Sequence, residues 1–252
     1  MPHRVARLRN GARMAVTLEQ HLYRSAYFAG VYESATTEII LSQLDIGRTF
    51  VDIGANAGYY TALAAAAVGA TGRVLAIEPA PGEVQDLLAA TAAMAGPHVE
   101  VISCAMSSVD AGTATLHLSG EPTNSGLSSL MNRDGTTCGA TVEVPVRSLD
   151  GLLDTVGLRR PDVLKIDVEG MELEVLRGAR ALLDSRPPRL IICEVARSVD
   201  VPAPELVLEL LQSAGYRVQV IDERRGSPRP VTDTAKCLSA MRDGEFLNLA
   251  AM

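Results

Sequence analysis

The sequence predicts an α/β domain in which a mostly parallel β-sheet is covered by helices on both faces. From residue 48 onward, short apolar runs typical of buried strands alternate with longer helical stretches. The chain has 252 residues and is 47% hydrophobic, which suits one large core. No apolar run approaches the roughly 20 residues of a membrane-spanning helix, so we expect no membrane segment.

The first 47 residues are expected to form an extension that packs on the core. Two short alternating runs flank Asn10 and Gly11, a pair that favours the positive φ angles of a type I′ turn, so we expect a β-hairpin there. A helix is predicted from about Ser34. Its apolar side would comprise Ile39, Ile40 and Leu44.

Residues 48–252 would form the main domain. Its predicted strands are "TFVDIG", "GRVLAIEP", "VEVISCAM", "DVLKIDVEG", "RLIICEVA" and "YRVQVID", with "EFLNLAAM" as a closing strand. The helices predicted between them are "YYTALAAAAVGA", "GEVQDLLAATAAMAG", "MELEVLRGARALLDS" and "APELVLELLQSAG". Residues 109–149 break this rhythm, because "TATLHLS" and "TVEVPVRSL" are joined by a long linker without helical pattern. We expect a β-hairpin insertion there, with a loop of the length typical of lids or disordered segments.

Charge and cysteine content limit the environment and the partners. The formal net charge of −7 argues against a nucleic-acid backbone as the main partner, since phosphate binding needs a basic surface. The four cysteines form no C-x-x-C pair, and the beginning of the chain lacks the apolar segment of a secretory signal. We therefore expect a reduced, cytoplasmic protein. The early hairpin either covers the core or exchanges with a second subunit, which leaves a homo-oligomer open.

The stretch "FVDIGANAGYY" marks a candidate cofactor site. It places Gly54, Asn56 and Gly58 between a strand and an alanine-rich helix, where open α/β sheets bind ligands. A dinucleotide fingerprint would need glycines at the positions of Asn56 and Tyr59, so a nicotinamide-dependent oxidoreductase is disfavoured. The pattern D-x-G-x-x-x-G suits S-adenosylmethionine, whose carboxylate can sit on the turn.

Two acidic residues complete this cofactor hypothesis. Asp52 would face the amino group of S-adenosylmethionine, and Glu78, at the end of the next strand, would accept hydrogen bonds from the ribose hydroxyls. The alternatives are that Asp52 caps the following helix and that Glu78 is only a solvated strand end. Ser107, after the third strand, would lie near the adenine or form a simple turn.

The run "DVLKIDVEGMELEVL" places charges on a buried strand. Lys165 and Asp167 alternate onto one face, so Asp167 would project into the crevice as a general base or as a polar clamp. Lys165 lies one step deeper, where an unpaired ammonium is costly, so we expect a carboxylate partner. Glu169 and Glu172 have a second interpretation as the acidic first turn of a helix.

Further candidates concern the methyl acceptor. Glu194 closes the neighbouring strand and is expected to contact substrate. A metal held by Asp167 and Glu194 is not predicted, because two carboxylates do not make a site and the insertion offers no clear third ligand. His117 is the histidine that the insertion could bring over the crevice as a base. Asn124, Ser125 and Ser128 would bind the acceptor or form turns.

Together, "VDIGANAGYYTALAA", "AIEP", "NSGLSSL" and "LKIDVEGMELEVLRGA" resemble the FkbM family of S-adenosylmethionine-dependent methyltransferases over about residues 30–196. The resemblance implies a class I, Rossmann-like methyltransferase sheet with a reversed final hairpin. It also implies O-methylation of hydroxyls on small, specialised metabolites. Because "GVYE" is similar to the family's entry to the core, it further implies that Glu33 lies near the cofactor.

The sequence therefore predicts an S-adenosylmethionine-dependent O-methyltransferase that acts on a hydroxylated small molecule. An N-methyltransferase and a non-catalytic module that binds S-adenosylmethionine and regulates a partner are the alternatives. Nothing in the sequence names the acceptor.

Overall fold

The computed structural model describes residues 4–16, 18, 21–92, 98–120, 128–131, 138–185, 187–223 and 233–252. In chain order the elements are β1 (Arg4–Arg7), β2 (Arg13–Val16), α1 (His21–Ala29), α2 (Ser34–Ser42), β3 (Thr49–Ile53), α3 (Tyr59–Val68), β4 (Arg73–Ile77), α4 (Pro81–Ala92), β5 (Val99–Ile102), β6 (Ala105–Ser107), β7 (Gly112–Ser119), β8 (Cys138–Ser148), α5 (Leu149–Thr155), β9 (Val163–Ile166), α6 (Glu172–Arg177), α7 (Arg180–Ser185), β10 (Leu190–Ala196), α8 (Pro204–Ser213), β11 (Val218–Ile221), α9 (Thr234–Ser239) and β12 (Phe246–Ala251). In the described part of the chain, no helix is long and apolar enough to cross a membrane.

The central sheet has seven strands in the order β11-β12-β10-β9-β3-β4-β5. The pairs among β3, β4, β5, β9 and β10 are parallel, whereas β12 runs antiparallel to both β10 and β11. This arrangement confirms the mostly parallel sheet and the reversed final hairpin. The short apolar runs form the strands because a strand covered on both faces needs apolar side chains on both.

The two faces of the sheet pack against different parts of the chain. Phe50, Val163 and Ile192 belong to a core shared with the first 47 residues, which contribute buried side chains such as Met14 and Tyr23. Residues at alternate positions face the opposite core, formed with helices α5 to α8. Asp52, Lys165 and Glu194 each lie two positions after one of these three residues on the same strand. Their side chains therefore face the N-terminal extension as well.

The hairpin of the extension is present, but its turn is not of type I′. Gly11 has a φ of 86°, while Asn10 is not among the residues with positive φ, and type I′ needs both. Instead the Gly11 N–H donates to the Leu8 carbonyl at 2.8 Å, and the Leu8 N–H donates to the Ala12 carbonyl at 2.8 Å. This is a three-residue loop with a left-handed glycine. Helix α1 was not predicted.

The insertion also differs from its prediction in one respect. Strands β7 and β8 pair as an antiparallel hairpin, and β6 adds in parallel to β8 to give a separate three-stranded sheet.

Two predicted elements are each divided in the structure. The run "VEVISCAM" was predicted as one strand, but it divides into β5 of the central sheet and β6 of this second sheet. The predicted helix after β9 likewise divides into α6 and α7 around Gly178. A Cβ at Gly178 would lie 2.1 Å from the Ser107 carbonyl oxygen, so close packing on β6 fixes this position.

Candidate active site

A cavity of about 700 Å³ opens beyond the carboxyl ends of β3, β4, β9 and β10. This is the edge at which open α/β sheets bind ligands, and the volume is that of a small-molecule site. Four strand-end residues line it, namely Gly54, Glu78, Asp167 and Glu194. The N-terminal extension contributes Leu22 and Tyr32, and the insertion contributes Leu116, Ser128, Ser129 and Leu130.

The turn after β3 is built from left-handed residues. Gly54 has a φ of 75°, and a Cβ there would lie 1.7 Å from the Asp167 carbonyl oxygen. The glycine therefore allows two strand-end turns to touch, in addition to lining the cavity. Asn56 has a φ of 48°, and its side-chain Oδ1 accepts a hydrogen bond from the Ala57 N–H at 2.7 Å. A local side-chain bond of this kind makes the left-handed conformation tolerable for asparagine.

Glu78 lies at the end of β4 with 7% of its surface exposed. Its Oε2 accepts from the Asn56 N–H at 2.8 Å and its Oε1 from the Ala80 N–H at 2.9 Å. Burial raises the pKa of this carboxyl to about 7, although the two backbone donors act in the opposite direction. Each carboxylate oxygen retains a lone pair beyond these bonds, so Glu78 fits the role of acceptor for two ribose hydroxyls.

Asp52 and Gly58 do not line the cavity. Asp52 is fully buried behind the turn, where its Oδ2 accepts from the Thr61 hydroxyl at 2.7 Å. Burial raises the pKa of its carboxyl, partly offset by the Lys165 ammonium. The structure therefore does not place Asp52 against an amino group in the cavity. Gly58 directly precedes α3 with a φ of 88°, a left-handed conformation that other residues rarely adopt, so its role is in the turn that starts the helix.

Lys165 has its carboxylate partner in Asp167. Its Nζ donates to Asp167 Oδ2 at 2.9 Å and lies 4.9 Å from the centre of the Tyr60 ring. Burial alone would lower the pKa of the Lys165 ammonium, but the carboxylates of Asp167 and Asp52 outweigh it, and the net pKa is raised. The lysine is therefore charged, although its side chain is 4% exposed. Asp167 directly follows β9, and its side chain, 33% exposed, borders the cavity.

Glu194 and Glu169 stand beside Asp167. One carboxylate oxygen from each of the three residues lies within 4.8 Å of the other two. Burial raises the pKa of Glu194 well above its ordinary value, and the Asp167 carboxylate adds to the effect. The turn after β9 thus supplies the third carboxylate that sequence reasoning did not find. Three such oxygens are close enough to share a cation, but acidic groups converge at proton-transfer sites as well, and we assign no metal.

The N-terminal extension reaches the acidic end of the cavity through Tyr32 and Glu33. The Tyr60 hydroxyl donates to Glu33 Oε2 at 2.6 Å, and the Tyr32 N–H donates to the Tyr59 hydroxyl at 2.9 Å. Burial raises the pKa of Glu33. Glu33 itself lies outside the cavity wall, whereas Tyr32 is part of it. Tyr32 was missed as a site residue, although it directly precedes Glu33 in "GVYE".

Several predicted residues lie elsewhere. His117 does not border the cavity: Leu116 does, and alternation along β7 turns the next side chain away. The His117 backbone pairs with Ser129 at 2.9 and 3.0 Å. Ser107 likewise lies outside the wall, because β6 packs against Gly178. Asn124 and Ser125 fall outside the described residues. Glu172 accepts from the N–H groups of Val168 and Gly170, which agrees with its alternative, structural role.

Together, the reversed last strand, the glycine-containing turn after β3 and the carboxylate at the end of β4 define a class I methyltransferase fold that uses S-adenosylmethionine. Residues 52–218, more than half of the chain, match the model of the methyltransferase FkbM domain. The chain therefore belongs to the FkbM methyltransferase family.

Several solved structures are similar to this chain at low sequence identity. Fibrillarin from Aeropyrum pernix, solved with natively bound S-adenosyl-L-methionine, has a TM-score of 0.51 and 13% identity, with 98% of this chain and 93% of that chain covered. A putative rRNA-methylase from Clostridium thermocellum has a TM-score of 0.51 and 12% identity, covering 86% and 92%. The methyltransferase FkbM from Methylobacillus flagellatus has a TM-score of 0.46 and 18% identity, with 82% of this chain and 44% of that chain covered. Among curated proteins, no sequence matches this chain.

Proposed function

We propose that this enzyme transfers the methyl group of S-adenosylmethionine to a hydroxyl of a small, specialised metabolite. The observation that supports it best is the meeting of two carboxylates, Asp167 and Glu194, in one cavity with the cofactor turn. A hydroxyl acceptor must lose a proton during methyl transfer, and a nearby carboxylate is suited to receive it. A cavity of about 700 Å³ suits a small acceptor beside the cofactor.

Different residues of the cavity would bind different parts of the cofactor. Glu78 would hold the ribose, and the turn formed by residues 54–58 would hold the methionine part of the cofactor. When bound, S-adenosylmethionine supplies an activated methyl group. The chain then has to align the acceptor with it and exclude water, and we assign the covering role to the extension of residues 1–47 on the main domain of residues 48–252. A cytoplasmic location belongs to this proposal, and a homo-oligomer remains compatible with it.

The acidic charge opposes RNA as the acceptor, even though one structural neighbour is a putative rRNA-methylase. The formal net charge is −7, and the three carboxylates of Asp167, Glu169 and Glu194 meet at one end of the cavity. A phosphate backbone would be repelled by such a surface. An amine acceptor is the second candidate, because the same carboxylates would attract an ammonium group.

Calorimetry followed by product analysis tests the proposal. We expect S-adenosylmethionine to bind and NAD not to bind. The protein is then incubated with S-adenosylmethionine carrying a deuterated methyl group and with panels of hydroxylated metabolites, amines and RNA. Mass spectrometry should find the label on an oxygen of a small molecule. Label on nitrogen or on RNA would overturn the acceptor class, and binding without any product would favour a regulatory module.

Asp167 is proposed to touch the reacting groups. Asp167→Asn should bind the cofactor with little change but lose most of the turnover found with the first active acceptor. Undiminished turnover in that variant would remove Asp167 from the chemistry.

A further inference from the structure

The order of the strands orients the donor in the cavity. Glu78 stands at the end of β4 and the cofactor turn at the end of β3, while β9 and β10 follow on the other side of β3. With the ribose at Glu78 and the methionine part on the turn, the reactive end of the donor points toward β9 and β10. The acceptor therefore meets Asp167 and Glu194 first, and these two carboxylates differ in their contacts.

The Asp167 carboxylate accepts a hydrogen bond from the protein, whereas the Glu194 carboxylate accepts none from the described residues. Asp167 Oδ2 accepts a hydrogen bond from Lys165 Nζ at 2.9 Å, which fixes the position of the carboxylate next to a buried cation whose pKa is raised. In the described part of the chain, no group donates a hydrogen bond to the Glu194 carboxylate; the Cys193 thiol donates to the backbone oxygen of Glu194, not to its side chain. Glu194 nevertheless borders the cavity.

The groups that face Glu194 are mainly negative. From β9 and its turn come Asp167, Glu169 and the cation of Lys165, and from the extension come Glu33 and the Tyr32 phenol. On the other side, β12 places the uncharged Asn248 opposite Glu194 in the sheet register. Burial and then the Asp167 charge raise the pKa of Glu194, so this carboxyl holds a proton more readily than an ordinary glutamate. A proton acceptor works best when its pKa lies near the working pH.

We propose that Glu194 is the general base of the reaction and that Asp167, fixed by Lys165, is the anion that orients the donor and acceptor. This inference rests on the proposed O-methylation. In the step, the acceptor oxygen forms a bond to the methyl carbon, and the carbon–sulfur bond breaks with its electron pair going to sulfur. The acceptor's proton passes to an oxygen of Glu194 and leaves later to solvent.

The test needs no knowledge of the acceptor. Sinefungin carries an amino group where S-adenosylmethionine carries its methyl group, and S-adenosylhomocysteine carries nothing there. The ratio of their dissociation constants, measured by calorimetry between pH 5 and pH 8, reports the charge beside the methyl position. Binding of the adenosine part cancels in the ratio, and an aliphatic ammonium stays charged throughout this range.

We expect the preference for sinefungin to rise with pH, because Glu194 becomes an anion only above its raised pKa. Glu194→Gln should abolish this rise and lower the preference at pH 8 at least about tenfold, the effect of roughly 1.4 kcal/mol. In Asp167→Asn the rise should persist. Glu209→Gln, on the exposed side of α8, should behave as the wild type.

Three results would overturn the assignment. One is a pH-dependent rise that survives in Glu194→Gln, and a second is a rise that disappears in Asp167→Asn instead. The third is a preference that appears only with added Mg²⁺ and vanishes with EDTA, which would make the three carboxylates a cation site. If S-adenosylhomocysteine does not bind at all, the proposed function fails rather than this assignment.

Discussion

The cavity has two halves whose carboxylates differ in their hydrogen bonds. The cofactor half comprises Glu78 and the turn of residues 54–58, and the acceptor half comprises Asp167 and Glu194. In the cofactor half, both oxygens of Glu78 accept backbone N–H groups, from Asn56 and Ala80. In the acceptor half, among the residues that the structure describes, the Asp167 carboxylate accepts from Lys165 Nζ and the Glu194 carboxylate accepts no hydrogen bond. Glu78 is thus held by the protein before any ligand binds, whereas Glu194 keeps a carboxyl group that a ligand can engage.

This difference indicates that the cofactor half binds the ribose of the cofactor and that the acceptor half carries out the proton transfer. A carboxylate held by backbone donors is rigid and suits a constant ligand such as the ribose of the cofactor. A buried carboxylate without donors is costly to ionise, and such groups are typical of sites that move protons. Three substitutions test this difference, one at the contact between the halves and one within each half, and each has a control elsewhere in the chain.

The largest effect is expected from Gly54→Ala, which would force the two halves apart. Its Cβ would lie 1.7 Å from the Asp167 carbonyl oxygen, and the φ of 75° is unfavourable for alanine. We expect a loss of about 4 kcal/mol or more in the free energy of unfolding, together with loss of cofactor binding. Gly82→Ala is the control, because its Cβ would meet nothing within 4 Å. Chemical denaturation measures the free energy of unfolding of both variants. Equal stability of Gly54→Ala and Gly82→Ala would contradict the close approach of Gly54 to the Asp167 carbonyl group.

Lys165→Met should come next, because it leaves the acceptor half without its buried cation. Asp52 and Asp167 would lose their shared counter-ion, at an expected cost of about 3–5 kcal/mol at neutral pH. The deficit should shrink as the pH falls, since the buried Asp52 carboxyl, whose pKa burial raises and Lys165 lowers, then takes up a proton and no longer needs a counter-ion. Lys236→Met, at an exposed position of α9, should cost less than about 0.5 kcal/mol. Unfolding curves at pH 5 and pH 7.5 test this, and a deficit independent of pH would argue for lost packing alone.

Glu78→Gln should have the smallest effect and act on the cofactor half. The amide group would face one of the two backbone donors, so we expect S-adenosylhomocysteine to bind about 10–100-fold more weakly, equivalent to about 1.5–3 kcal/mol. The pKa of Glu78 is raised to about 7, so wild-type affinity should rise as the pH increases through this value and the carboxyl becomes an anion. The variant should lack this rise. Glu100→Gln, on the exposed part of β5, should bind normally, and an unchanged affinity in Glu78→Gln would contradict the ribose contact.

The cofactor half could be predicted largely from the sequence. Its turn and Glu78 lie in two local strand–turn–helix motifs, and backbone geometry alone places them at neighbouring strand ends. Asp52 was an exception, because it lies before the end of β3, beside the buried Lys165, and its carboxylate accepts from the Thr61 hydroxyl inside the fold. The sequence pattern shows that a residue lies near a strand end, but not how deep below the following turn its side chain lies.

The acceptor half could be predicted less well, because it is assembled from distant segments. Lys165, Asp167 and Glu194 were recognised as strand-end charges, but Tyr32 comes from the extension, and its position depends on Tyr59, 27 residues away. His117 was misplaced because one step along β7 decides between facing the cavity and facing away. Such choices depend on the register between strands, which a single sequence does not contain.

A crystal structure with S-adenosylhomocysteine tests the division of the cavity most directly. We expect both ribose hydroxyls to lie within hydrogen-bond distance of Glu78 and the sulfur to face Asp167 and Glu194. A complex in which the homocysteine end lies at Glu78, or in which the sulfur faces away from the two carboxylates, would contradict it.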